Sequence, residues 1–149
     1  MIRTFAIEQY CSYLNQYIMT RQTEIILLWT LIIVGFLSHS QVDMLPAFWG
    51  QSIVAIPTGS APASMIALMA VLTYALPVVS ILLLVYAKGK CGRLINAVLA
   101  CLYAVFCILH MGEWAESFNP VQLAVMPLMA VIGVILAVQS VRYAKSAVV

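Results

Sequence analysis

The stretch ILLLVYAKGKCGRLINAVLACL, residues 81–102, decides the fold. An apolar run ends in Lys88, Gly89, Lys90 and Arg93, and a second apolar run resumes at once. Three cations packed between two such runs read as the turn of a helical hairpin at a membrane boundary. Upstream the apolar segment reaches back to about residue 62, giving a span over 62–87. Downstream it continues over 94–114, and two further runs occupy 25–43 and 120–143. Each approaches or exceeds the roughly 20 residues that cross about 30 Å of hydrocarbon as a helix. An unpaired backbone group in lipid costs several kcal/mol, and the strict alternation of a barrel strand is absent, so the spans are helices.

Composition agrees. Of 149 residues, 64% are hydrophobic and 8% charged, against about 25% charged in soluble domains. A soluble core of this length could not be clothed by so few charges. The reading is all-α: a single four-helix transmembrane bundle over 24–149, preceded by a segment over 1–23. Within that segment Ile2, Ala6, Tyr10, Tyr13 and Tyr17 recur at helical spacing, opposite Glu8, Gln9, Ser12, Asn15 and Gln16. This predicts an amphipathic helix lying in the interface, where tyrosine satisfies both an apolar ring and a polar tip. A docking helix for a partner is the alternative.

All seven Lys and Arg residues fall on one side of the four spans: Arg3 and Arg21 before the first, Lys88, Lys90 and Arg93 in the central turn, Arg142 and Lys145 after the fourth. The positive-inside rule makes that side, and both termini, cytoplasmic. Asp43, Glu113 and Glu116 are then external. The net charge of +2 comes from clusters at membrane boundaries, not from a basic patch, and nucleic acid is not an expected partner. Residues 44–60, with Phe48 and Trp49 and breakers at Pro46, Gly50, Pro57 and Gly59, are too short and too broken to span. They read either as a partly re-entrant cap or as an interfacial loop. The four cysteines, Cys11, Cys91, Cys101 and Cys107, have no zinc-type spacing and form no disulfide framework.

Small residues recur on two spans, Ala63, Ala67, Ala70, Tyr74 and Pro77 on the second and Ala130, Gly133, Ala137 and Ala144 on the fourth, as helix-contact stripes. Pro77 and Pro127 read as kinks or hinges, since each removes one helical hydrogen bond. Asn96, Ala100, Tyr103, Cys107, His110 and Trp114 share a face of the third span, which predicts that Asn96 and Tyr103 are interior polar groups of a central helix.

The candidate site is external. His39 and Asp43 are four apart, and His110 and Glu113 three apart, so each pair shares a helix face at similar depth. If the faces meet, the four groups form a ligand or ion site, and His39, His110 and Glu113 a candidate set for a divalent metal such as zinc, manganese or iron. Met44, Met111, Met126, Met129 and Cys107 offer soft sulfur nearby, or simply core filling. Haem on the two histidines, or a quinone hydrogen-bonded to them, is a further option. The structural alternative is a set of interfacial polar residues satisfied by water and by one another. No catalytic motif of a hydrolase, nucleotide-binding enzyme or zinc protease is present, and nothing in the sequence argues for an enzyme.

The pattern of Asp43 ending the first helix, Pro77 within the second and Arg93-Leu94-Ile95-Asn96 opening the third resembles an uncharacterised bacterial family of small four-helix, DoxX-like membrane proteins. The resemblance covers about residues 24–144. It implies a four-helix bundle but no definite activity, since the family includes redox-associated subunits and many members without an assigned function; His39 and His110 are not part of the pattern. The expectation is a multi-pass protein of the bacterial inner membrane, both termini cytoplasmic, with the lipid bilayer and either a second copy or another membrane protein as partners. Three roles stay open: binding or transport of a small ligand or ion at the external site, an accessory subunit of a larger membrane complex, and a metal-, haem- or quinone-binding oxidoreductase subunit.

Overall fold

The computed structural model of the chain describes residues 20–53, 62–87, 89–112 and 120–146. The amphipathic helix expected before the first span lies, up to residue 19, outside them. The described residues form helices and turns without a strand, and four helices are long and apolar enough to cross a membrane.

The first helix, α1 (Arg21–Met44), begins four residues before the apolar run because Thr20 caps it. The Thr20 side chain accepts from the Thr23 N–H at 3.2 Å, and Glu24 lies in the first turn, where the helix dipole favours a carboxylate. A 3-10 turn, Leu45–Trp49, follows and stops at Gly50, whose φ of 72° is open to glycine at no steric cost. Phe48 and Trp49 beside it are 79% and 74% exposed, as befits aromatic anchors at a membrane surface.

The second span, α2 (Ala63–Tyr86), is not uniform. Residues Val71–Ala75 form a π turn in which the Leu76 N–H reaches the Val71 carbonyl. Pro77, just beyond, has no N–H to give to Thr73, and widening the preceding turn is how the helix continues through it. The third span, α3 (Lys90–His110), starts earlier than the apolar run: Gly89 is its N-cap and its carbonyl accepts from the Arg93 N–H at 3.4 Å. The turn before it is tight: a β-carbon on Gly92 would stand 2.8 Å from the Ala87 carbonyl oxygen. A 3-10 turn over Pro120–Leu123 precedes α4 (Met126–Lys145). Pro127 therefore does not kink a span. It sits in the first turn of α4, where a missing N–H costs nothing.

The helices form an up-down-up-down ring in which each packs on its sequence neighbours and α4 closes on α1; α3 and α4 make the most extensive pair. Gly133 permits this approach, its α-carbon side facing Ala104 and Cys107. The stripe on α4 is thus partly consumed, with Ala130 and Gly133 buried. The stripe on α2 is not: Ala63–Ala70 has no buried residue and Tyr74 is 63% exposed. Only Pro77 of that stripe is buried, because α2 meets its neighbours mainly through Leu76–Tyr86.

Long side chains bridge the diagonal. Trp29 of α1 meets Tyr103 of α3 edge to face at 5.0 Å, and its indole N–H donates to Asn96 Oδ1 at 2.9 Å. Asn96 Nδ2 in turn donates to Ser140 Oγ of α4 at 3.1 Å. Trp29, Asn96 and Ser140 are each 0% exposed. Asn96 and Tyr103 are thus interior, the first with both its amide oxygen and its amide nitrogen bonded, the second with its hydroxyl lacking a partner among the described residues. Toward the lysine-rich end, Gln139 donates to Glu24, Tyr143 donates to Gln22 and Arg93 lies 4.3 Å over the Tyr143 ring. A cation over an aromatic face within about 6 Å is attracted by its quadrupole.

Candidate functional site

At the opposite, lysine-free end, α1 and α3 converge through two histidines. His39 lies in the last two turns of α1 and is 8% exposed; His110 is the final residue of α3. Their rings meet edge to face with centroids 4.9 Å apart, and the two Nε2 atoms are 3.2 Å apart. The helical period that puts His39 and Asp43 on one face brings Asp43 Oδ2 to 3.4 Å from His39 Nε2. The structure therefore brings three of the sequence-derived candidates together: His39, Asp43 and His110. Glu113 lies outside the described residues, as do Trp114 and Glu116.

A fourth member stands outside the sequence-derived set. Gln122, from the 3-10 turn before α4, is 2% exposed. Its Nε2 donates to Asp43 Oδ1 and, at 3.3 Å, to the His39 carbonyl. One side chain thereby ties the turn before α4 to the end of α1 and fixes the carboxylate. Gln122 Oε1 is buried with no partner among the described residues. A lone glutamine two residues beyond Pro120, in an otherwise apolar run, was the available clue, because a buried amide must be satisfied by something.

Aromatic rings wall the pair on the core side. Phe106 stacks on His110 at 5.7 Å with 19° between planes, and Phe36 is 6.1 Å from His110 and 5.8 Å from Phe106. A crevice of about 70 Å³ between α1 and α2 lies beside Phe36, lined also by Ser40 and by Thr73 and Tyr74 of the π turn. The sulfur groups play another part. Met126 and Met129 belong to the buried interior, and Met129 fills the space over Gly35, where a β-carbon would come within 2.8 Å of its Cγ. Packing accounts for it.

The chemistry follows from proton counting. A neutral imidazole has one N–H and one lone pair, so two Nε2 atoms can bond only if one ring carries its proton there and the other on Nδ1. The Asp43 carboxylate beside His39 Nε2 favours His39 as the donor, since two lone pairs would otherwise face each other. The Gln122 amide donates to the Asp43 carboxylate, and the single Nε2–H of His39 is shared between Asp43 Oδ2 and His110 Nε2; the cluster is apolar on one side and open through Asp43, whose side chain is 46% exposed, on the other. Among the described residues no three His, Cys, Asp or Glu groups are arranged to hold a metal ion. Comparison of the chain with protein-family models, curated proteins and solved structures gives no match.

Proposed function

We propose that this polytopic membrane protein binds a small ion at the lysine-free end of its bundle, with His39 and His110 as the receiving groups and Asp43 as the countercharge. In this reading that end faces outward from the inner membrane of a bacterium and both termini are cytoplasmic. The observation that supports it is the Nε2–Nε2 separation of 3.2 Å between rings brought from two different helices. Burying polar groups is costly unless they are satisfied, and ionisable side chains within membrane helices generally mark function. The separation also suits the purpose. Two histidine nitrogens that each lie about 2.0–2.1 Å from a tetrahedral ion stand about 3.3 Å apart, so an ion could replace the shared proton with little motion of either ring. A proton needs only these groups, whereas a divalent transition metal would need ligands beyond them, since no three His, Cys, Asp or Glu groups among the described residues are arranged to hold one.

Zinc titration of the purified protein, followed by ¹⁵N NMR of histidine-labelled material, separates the two. Zinc should move the Nε2 signals of both rings, and His39→Ala or His110→Ala should abolish the response; a proton site should instead show both rings responding together to pH. Ring signals that ignore zinc and also ignore pH between about 5 and 8 would sink the reading. A second reading, an accessory subunit of a larger membrane complex, is favoured by the uncovered α2 stripe of Ala63, Ala67 and Ala70, since small residues are where membrane helices approach closely. Co-purification of one defined membrane protein, lost on Ala67→Trp, would support it.

A further inference from the structure

A groove of about 590 Å³ runs along the outside of α3 from the lysine-rich end, where α4 forms its second wall. It is lined by apolar side chains, Leu94, Val98, Leu102 and Val105 among them, except at its mouth, where Lys90 and Lys145 stand. The concavity exists because Ala97 and Ala144 are small while their neighbours are large. Among the described residues no carboxylate lines it and neither lysine has an ion-pair partner. The first turn of α3 adds no acidic group, and its N-cap, Gly89, makes no side-chain bond.

We propose that this groove binds one anionic phospholipid, with the phosphate held by Lys90 and Lys145 and an acyl chain laid along α3. The dimensions match. Lys90 to Val105 is about 22 Å along a helix, and the hydrocarbon of one leaflet is about 15 Å deep, so the groove accommodates a chain over its full depth. The charges match too: basic pockets between membrane helices recognise acidic headgroups, each lysine adding to the attraction. A second copy of this chain fits less well. A two-fold axis along the membrane normal would bring the same four lysines together at one depth, with no carboxylate among the described lining residues to separate them.

The test is native mass spectrometry of the full chain released from nanodiscs containing equal amounts of phosphatidylglycerol and phosphatidylcholine with identical acyl chains. One phosphatidylglycerol per chain should be retained, in roughly 10- to 30-fold preference over phosphatidylcholine. Lys90→Gln/Lys145→Gln should bring the preference close to unity, and Val98→Trp, which fills the groove and keeps both lysines, should remove the adduct. All three positions are exposed, and unchanged far-UV circular dichroism checks that the bundle is intact. Equal retention of the two lipids overturns the proposal, as does an adduct indifferent to both variants. So does displacement by soluble glycerol phosphate, which would make the site one for phosphate alone, or efficient cross-linking of Cys101 to Cys101 in the bilayer, which would put a second copy in the groove.

Discussion

Replacing Asn96 with alanine removes the amide that links α1, α3 and α4 in the apolar interior. Two hydrogen bonds go, from Trp29 Nε1 at 2.9 Å and to Ser140 Oγ at 3.1 Å. The two partners do not suffer equally. Ser140 can turn its hydroxyl to the carbonyl one turn back on its own helix, as serines in helices do. The indole N–H of Trp29 has no such recourse, because its ring is buried against Tyr103. Interhelical hydrogen bonds in membrane proteins average about 0.6 kcal/mol with a maximum near 1.7, and a buried donor left unsatisfied costs about 1–3 kcal/mol. Asn96→Ala should therefore destabilise the bundle by about 2 kcal/mol, close to a 30-fold loss in the folding constant. Ser140→Ala should cost no more than about 1 kcal/mol. Reversible unfolding by dodecyl sulfate in mixed micelles, followed by far-UV circular dichroism, gives these differences. The cycle of Trp29→Phe with Asn96→Ala should show coupling of about 1 kcal/mol, the double variant being less harmed than the sum of the singles. An Asn96→Ala variant within about 0.5 kcal/mol of the parent, with strictly additive behaviour in the cycle, would refute the assignment of this network as the tie between the three helices.

Gly92→Ala should destabilise by about 1–3 kcal/mol, since its β-carbon would meet the Ala87 β-carbon and backbone carbonyl, neither of which can swing away; the same unfolding assay reads it, and an unchanged midpoint would mean that the turn can open. Gln122→Leu should cost about 1–3 kcal/mol by removing the donor to Asp43 and to the His39 carbonyl, and should shift the histidine ring signals in NMR; unmoved signals would separate Gln122 from the site. In a Cys11→Ser background, a membrane-impermeant maleimide should label Cys91, which is exposed at the lysine-rich end, in inverted vesicles and not in spheroplasts. The opposite pattern would reverse the orientation drawn from the positive-inside rule.

The four spans were legible without coordinates because the constraint behind them is local: a run of apolar residues long enough for the bilayer must close its own backbone hydrogen bonds as a helix. The inward face of α3 was legible for the same reason. Asn96, Tyr103 and Cys107 recur at the helical period, and all three are buried. Element ends were not, since caps and not hydropathy set them: Thr20 opens α1 early, Gly89 does the same for α3, and the turn holding Pro120 delays α4 until Met126, which turns Pro127 from an expected kink into a first-turn residue. The π turn before Pro77 likewise depends on how the freed carbonyl is handled, not on the proline alone.

For the candidate site the division is sharper. Spacing alone determined that His39 and Asp43 share one face and that His110 lies near the external end of the third span at similar depth, because a helix fixes rotation and rise per residue. Only the tertiary structure decided that the two faces point at each other across the ring diagonal, that the Nε2 atoms come within 3.2 Å, and that Gln122 reaches in from the turn before α4. Which way a helix turns about its own axis depends on packing with its neighbours, here the bulk of Trp29 and Tyr103, the smallness of Gly133 and the reach of Met129 over Gly35. No periodicity within one helix records what stands opposite it.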